Sequence, residues 1–447
     1  MKYKPSKYNI VVEEKDNGTR LIYNTLTNCL CELDKETFDN LNNILTIENQ
    51  ESLPYFKEMH QQGLIVNENL NEFNKLIVCE HAAMINPNDI FLSFVIAPTM
   101  KCNLRCVYCF EACSEKESGF DDETMDSVLK YIKSKICSMP RLKRLNIDWF
   151  GGEPLLAYSK IVKFSKDIIL FCKEKNIEYS ACMLTNGVLL SKEKALVLKN
   201  ECNLFSVQIP LDGTETFYCK LKNATQESYK AVIKNICDCC GIFRMSLRMN
   251  TNKENYEDIK KVTKYLLVDL KLVDKVRIYL AELKVFDGYT NYDCKNCLES
   301  KNFTNTKLDF LNFIRNELGY KNFKYAYQRP KGICCGLTKL NNAVIGPNGD
   351  FYRCEHHIGK AENVVGNCKE GYFYNDKEME QLFYPHEKKC SECAFFPTCM
   401  GGCRNERIMK GRDQDFCDSF KTELVELLKM KAIDIGNKND NDFGRIR

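Results

Sequence analysis

From Asp89 onward the chain repeats one pattern, a short apolar run followed by a longer stretch whose apolar positions recur at three- and four-residue spacing. The runs are DIFLSFVIAP, RLNIDWF, EYSACMLT, LFSVQIPL, FRMSLRMN and VRIYLAEL, so six such units can be counted. In the first helical stretch, DDETMDSVLKYIKSKI, an acidic first turn precedes Met125, Val128, Leu129, Ile132 and Ile136 on one face. Strands alternating with helices predict a parallel α/β sheet whose functional loops lie at the strand C-termini. Six units predict an open, partial (β/α)6 barrel over residues 86–320.

The flanks follow other patterns. Over residues 1–85, NIVVEE and TRLIYN alternate on either side of the turn signal DNG, and CLCELDKETFDNLNNI continues into a helix. A second amphipathic stretch, YFKEMHQQGLIV, stops at glycine before a short strand. This predicts a small α+β module of winged-helix character. Residues 321–447 are punctuated by cysteine, glycine and proline, with short strand candidates NNAVIG and DFYRC and one clear helix, FKTELVELLKMKAI. A segment so poor in regular elements needs staples, and metal clusters supply them. Three domains suit 447 residues at roughly 150 per domain, and the closing GNKNDNDFGRIR reads as a frayed tail.

Composition narrows the function classes. A chain 44% hydrophobic and 28% charged buries a large core. Its net charge of +3 gives no field that would draw nucleic acid or an anionic membrane, and neither is expected as a partner. The N-terminal residues lack the apolar core of a secretion signal, and no run approaches the ~18 apolar residues of a membrane span. The expected location is the cytoplasm. There disulfides are rare, so 26 cysteines direct attention to metal ligation or catalysis.

Directly after the first strand, MKCNLRCVYCFE places Cys102, Cys106 and Cys109 in the pattern C-x3-C-x2-C. Three thiolates on a cube of four irons leave one iron open to a further ligand. A structural zinc knuckle is the blander alternative, although zinc sites close with four ligands at tighter pair spacings. With the aromatic Tyr108 before the last cysteine, the loop resembles the defining motif of the radical S-adenosylmethionine (SAM) superfamily. The resemblance implies a 4Fe-4S cluster that cleaves SAM to methionine and a 5′-deoxyadenosyl radical able to take hydrogen from an unactivated carbon, the cofactor carrying the chemistry while the protein positions it.

The other strand ends acquire roles on the same resemblance. WFGGEP after the second strand is similar to the family's GGE motif. Gly151 and Gly152 would let backbone approach the ligand, and Glu153 would accept from the SAM ammonium group. Thr185, Asn186 and Gly187 end the third strand, Gln208 and Asp212 lie on or after the fourth, and Arg248 and Asn250 on the fifth. In isolation each reads as a polar residue satisfying local backbone. The resemblance implies that Arg248 clamps the SAM carboxylate, that Asn186 and Gln208 face ribose or substrate, and that Asp212 is a substrate-side catalytic acid or base.

The C-terminal segment spaces Cys335, Gly349 and Cys354 as C-x13-G-x4-C, then Cys390, Cys393, Cys399 and Cys403 as C-x2-C-x5-C-x3-C, and ends the series at Cys417. These spacings resemble the SPASM domain of radical SAM enzymes that modify peptides and proteins, which holds two auxiliary 4Fe-4S clusters. The resemblance implies one cluster on Cys390, Cys393, Cys399 and Cys417 and another on Cys335, Cys354 and Cys403. The fourth ligand of the latter would be Cys334, Cys294, Cys297 or a substrate thiolate, which binding to iron would deprotonate and hold near the radical. The other cysteines, Cys29, Cys79, Cys113 and Cys240 among them, read as small buried hydrophobes or surface thiols. His356 and His357 read as loop residues.

By the same resemblance the N-terminal module is similar to the peptide-recognition element of ribosomal-peptide maturases, which binds a leader peptide by strand addition. The expected activity is that of a maturase joining cysteine sulfur to carbon as a thioether in a cysteine-rich precursor peptide, with flavodoxin or ferredoxin as reductant and an auxiliary cluster accepting the surplus electron. Its rivals are an anaerobic sulfatase-maturating enzyme that makes formylglycine, a non-catalytic iron-sulfur sensor or electron carrier, and a zinc-binding interaction protein.

Overall fold

The computed structural model describes residues 1–86, 88–113, 119–284, 295–410, 414–436 and 444–445. They fall into two units. The first comprises Met1–Ile85, Tyr325–Cys335 and Tyr384–Arg447, and the second Asn86–Lys324 and Gly336–Phe383.

In the first unit, β1 (Tyr3–Pro5) opens the chain, and β2 (Asn9–Glu14), β3 (Arg20–Asn24) and β4 (Cys29–Leu33) form an antiparallel meander. Helices α1 (Lys35–Asn42) and α2 (Phe56–Gln61) follow, β5 (Ile65–Asn67) returns to pair antiparallel with β1, and α3 (Glu72–Ile85) closes the segment. Asp34 caps α1 by accepting from the Thr37 amide, which starts the helix just after the strand ends. Cys29, Cys31 and Leu33 alternate inward on β4 and pack with Leu41, Ile44, Phe56 and Met59.

The second unit contains the six expected strands. They are β6 (Phe91–Ile96), β7 (Arg144–Trp149), β8 (Glu178–Leu184), β9 (Leu204–Pro210), β10 (Arg244–Thr251) and β11 (Val276–Glu282), all parallel and each paired with its chain neighbour. The helices between them are α4 (Asp122–Cys137), α5 (Tyr158–Glu174), α6 (Lys192–Glu201), α7 (Glu215–Lys222), α8 (Gln226–Cys239) and α9 (Tyr256–Lys264), with α10 (Ser300–Asn312) after β11. The five apolar residues expected on one face of α4 are all buried there. Ile132 has no exposed surface, so its truncation to alanine should cost about 2–5 kcal/mol.

A parallel sheet covered on both faces normally carries apolar runs rather than alternation. Here β8 to β11 alternate. Ala181 and Met183, Val207 and Ile209, and Leu247 and Met249 belong to the main core. Between them in sequence stand Cys182, Gln208 and Arg248, which the two-residue period turns to the other face. One face therefore packs on helices while the other carries polar groups, as the lining of a solvent-filled interior requires.

The cysteine-rich segment contributes to this sheet. β12 (Ala343–Ile345) adds in parallel beside β6, and β13 (Asp350–Tyr352), β14 (Gly366–Asn367) and β15 (Gly371–Tyr372) continue antiparallel, giving ten strands in all. Arg353, buried beneath them, is ion-paired with Glu378 on α11 (Asp376–Phe383). The remaining helices, α12 (Phe396–Cys399), α13 (Arg404–Lys410) and α14 (Gln414–Gly436), belong to the first unit. Leu424 and Leu428 of α14 pack on Ile10, Val12, Leu21 and Tyr23. Within the expected frayed tail, Gly444–Arg445 forms a short strand, β16, parallel to β4. Among the described residues no helix is long and apolar enough to cross a membrane.

Candidate active site

The loop that leaves β6 carries Cys102, Cys106 and Cys109 to the wall of one cavity of about 440 Å³. Backbone bonds fix its course, with Arg105 N donating to Lys222 O at 3.2 Å and Val107 N to Leu221 O at 2.9 Å, both at the end of α7. The three thiols are free of disulfides. Burial pushes each of them up, Cys109 to about 12, while the Lys222 charge opposes the shift at Cys106. Left alone they would stay protonated. A bound cation reverses that balance, because thiolate is the metal-ligating form. Three such donors on one cavity wall fit a 4Fe-4S cluster with an open iron site.

Expected contacts come together around this cavity. Tyr108, Gly151, Gly152, Asn186, Gln208 and Arg248 all line it, as do Thr185 and Asn250. Asn186 Nδ2 donates to Asn103 Oδ1 at 2.7 Å and lies 3.8 Å from Cys102 Sγ, tying the third strand end to the cysteine loop. Gln208 Oε1 accepts from the Tyr279 hydroxyl at 2.6 Å, and Arg248 Nε donates to Asn250 Oδ1 at 2.9 Å.

The GGE segment is held from within the protein. A Cβ on Gly152 would stand 2.4 Å from Lys101 O, and one on Gly151, at φ +109°, the same distance from Thr99 O. The glycines thus admit the cysteine loop, with Gly152 N donating to Thr99 O and Glu153 N to Lys101 O. The Glu153 carboxylate, expected to meet the SAM ammonium, has no exposed surface and does not line the cavity. Its oxygens accept from Leu155 N at 3.0 Å, the Thr185 hydroxyl at 2.7 Å and Asn186 N at 2.8 Å. Burial still raises its pKa against those bonds. Glu153 clamps two strand ends, and the donors that hold it keep it from the cavity lining.

Asp212 is held in a similar way. Expected as a substrate-side acid or base, it is fully buried and both oxygens are occupied. Oδ1 accepts from Asn250 N at 2.9 Å and Asn250 Nδ2 at 3.1 Å, and Oδ2 meets Lys222 Nζ at 2.8 Å and the Tyr108 hydroxyl. Lys222 Nζ also donates to the Tyr108 oxygen at 2.9 Å. Burial works to lower the Lys222 pKa, but the Asp212 and Cys106 charges outweigh it and the net shift is upward. Burial and Asp212 hold the Tyr108 phenol well above its usual value. Asp212 is an anchor for the loop, and Lys222, which carries no motif, is its partner.

Other cavity residues escaped the sequence. Glu282, Lys284, Glu355 and His356 all line it. The His356 ring stacks on Phe110 at 4.2 Å and 5°, although the spacing suggested only a loop residue. Burial raises the Glu355 pKa, with Asp148 adding to the shift and Arg248 opposing it.

Of the other expected cluster ligands, Cys335, Cys390, Cys393, Cys399, Cys403 and Cys417 belong to the first unit and Cys354 to the second. Cys334, Cys390 and Cys393 pack around Tyr8, Phe396 and Met400. Cys294 lies outside the described residues, and Cys297 is disulfide-bonded.

Comparison with known proteins agrees with this geometry. A family model described as the Radical SAM superfamily matches residues 96–266. The chain is 25% identical to a cysteine-type anaerobic sulfatase-maturating enzyme of Clostridium novyi, over 74% of this chain and 94% of that one. It is 26% identical to the radical SAM cyclopropyl synthase TigE of Paramaledivibacter caminithermalis, over 96% and 95%. Crystal structures of Streptococcus suis SuiB, bound to S-adenosylmethionine or to its precursor peptide SuiA, share the fold at TM-scores of 0.52 and 0.53, with 18% identity over 92% of this chain and 99% of that one. Residues 96–266 thus form a Radical SAM domain.

Proposed function

We propose that this enzyme modifies a ribosomally made, cysteine-rich precursor peptide in the cytoplasm, joining a cysteine sulfur to carbon as a thioether. The observation that carries the reading is the Glu355 carboxylate, which stands at the cavity wall with the three thiols and makes no hydrogen bond among the described residues. When bound, the clusters supply the electron that cleaves SAM to methionine and the 5′-deoxyadenosyl radical, and take back the electron released as the S–C bond forms.

The protein's residues then have distinct tasks. Gly151, Asn186, Gln208 and Arg248 line the cavity, and in this reading they hold SAM, with the Arg248 guanidinium clamping its carboxylate. One hydrogen atom leaves the peptide carbon for 5′-deoxyadenosine. The substrate thiol loses its proton as sulfur bonds that carbon, and Glu355 is placed to receive it. Two auxiliary 4Fe-4S clusters belong to this reading, one of them on Cys390, Cys393, Cys399 and Cys417. So does an N-terminal module over 1–85 that binds the leader, a barrel over 86–320 and a cluster-bearing domain over 321–447, with flavodoxin or ferredoxin as reductant.

The preference for a peptide maturase over a sulfatase maturase is supported by coverage. SuiB, solved with its precursor peptide, covers 92% of this chain, whereas the sulfatase-maturating relative aligns over 74%. Incubating reduced enzyme, SAM and a candidate cysteine-rich precursor peptide should give a product two hydrogens lighter that resists thiol alkylation. A cysteine converted to an aldehyde would identify sulfatase-maturating chemistry instead, and an unchanged peptide mass would contradict both.

A further inference from the structure

In the first unit, Arg407 on α13 is 1% exposed. Its Nη1 donates to Pro385 O at 2.7 Å, but the buried Nε and Nη2 find no acceptor among the described residues. An unmet buried donor is costly, and a buried charge without a partner costs more. The nearby carboxylate is already committed, since Glu80 accepts from Arg404 at 3.3 Å and contacts His386 Nε2 at 2.6 Å. A Cβ on Gly401 would stand 3.4 Å from Arg407 Cζ, so the guanidinium is closely enclosed.

The cysteines are the remaining groups that would answer this charge. Arg407 feels Cys334 and Cys390 electrostatically, both of which oppose the lowering of its pKa by burial and by Arg404. A second donor is stranded in the same place. The Tyr8 hydroxyl is buried without a partner, and its ring packs in the cluster that includes Cys390 and Cys393. Neutral thiols would leave both donors unsatisfied, whereas thiolates and sulfides on iron would satisfy both.

We infer that Arg407 is the internal counter-charge of an iron-sulfur cluster held at Cys390 and Cys393, its free N–H groups donating to the cluster's sulfurs and raising its reduction potential, with Tyr8 as a second, neutral donor. Hydrogen bonds to cluster sulfur and reduced net charge both act in that direction. The inference rests on the reading of an auxiliary cluster in this segment. It makes Arg407 a positioning and tuning residue rather than a catalytic one.

The full chain with Cys102, Cys106 and Cys109 replaced by alanine isolates the auxiliary clusters. Anaerobically prepared, it should retain iron and acid-labile sulfide, and redox titration followed by electron paramagnetic resonance should resolve two signals. Arg407→Met should shift one of them to lower potential with iron content preserved, Arg407→Lys should shift it less, and Tyr8→Phe should give a smaller shift of the same signal. If Arg407→Met loses its iron, the titration of Tyr8→Phe and Arg407→Lys decides. Unmoved potentials in the iron-loaded variants overturn the inference. Absence of iron and sulfide from the parent overturns the reading of auxiliary clusters itself.

Discussion

Lys222 Nζ lies 2.8 Å from Asp212 Oδ2, and neither side chain reaches solvent, with exposures of 1% and 0%. The pair sits under Tyr108, between the second and third cysteines of the loop, and the α7 backbone beside Lys222 receives two amides from that loop. Breaking one side of such a pair strands a buried charge. Lys222→Met should therefore destabilise the protein by about 3–5 kcal/mol in urea unfolding. Lys222→Met with Asp212→Asn should recover part of that loss, since the stranded charge is gone. A single variant no weaker than a surface substitution would remove the anchor role.

The loop's second support is steric. Gly152→Ala would drive a Cβ to 2.4 Å from Lys101 O and 2.5 Å from Met100 O. Backbone cannot yield there as a flexible side chain would, so the expected cost is about 1–3 kcal/mol, with iron at the loop reduced. Gly241→Ala, where nothing stands within 4 Å, is the control and should leave melting temperature and iron content unchanged.

Asp148 gives a pH dependence. Burial raises its pKa, while hydrogen bonds from Asn146 and Cys182 oppose the shift; Glu355 and the Cys182 thiol are the other titratable groups facing it. A carboxyl raised in the folded state favours the fold when protonated. Its contribution is complete below the ordinary carboxylate value and is lost as pH rises through the raised one. Asp148→Asn keeps an acceptor for Asn146 and never charges. Melting temperatures of the two proteins should coincide in acid and separate in favour of the variant toward neutrality. Parallel curves would contradict the assignment.

Glu355→Gln separates the two halves of the proposed reaction. Release of 5′-deoxyadenosine by the reduced protein with SAM should persist, because Glu355 is not asked to act there. Thioether formation should fall by about 10²–10⁴-fold, the usual contribution of a general base. Equal loss of both activities would place Glu355 in SAM binding instead.

The strands, the first helix face and the cysteine loop were legible because local periodicity and spacing specify them. Lys222 was not, since a lysine at a helix end is ordinary until tertiary packing seals it against Asp212. Glu153 and Asp212 stand out in the sequence by motif position, but the strand-end donors that hold their carboxylates do not. Motif position locates a carboxylate, whereas its direction depends on which donors the neighbouring strand ends offer, here Thr185, Asn186 and Asn250. His356 reads from the sequence as a loop residue, Glu355 carries no motif, and only the pairing of β12 with β6 adds their segment to the sheet. Strands of two or three residues carry too few alternations to announce that pairing.

The central claim is that the radical made at Cys102, Cys106 and Cys109 takes hydrogen from a peptide. The most direct measurement uses the cysteine-rich precursor deuterated on its carbons, incubated with reduced enzyme and unlabelled SAM. The account predicts deuterium in 5′-deoxyadenosine together with a crosslinked peptide, both absent from a Cys106→Ala variant. Unlabelled 5′-deoxyadenosine and an unaltered peptide would contradict it.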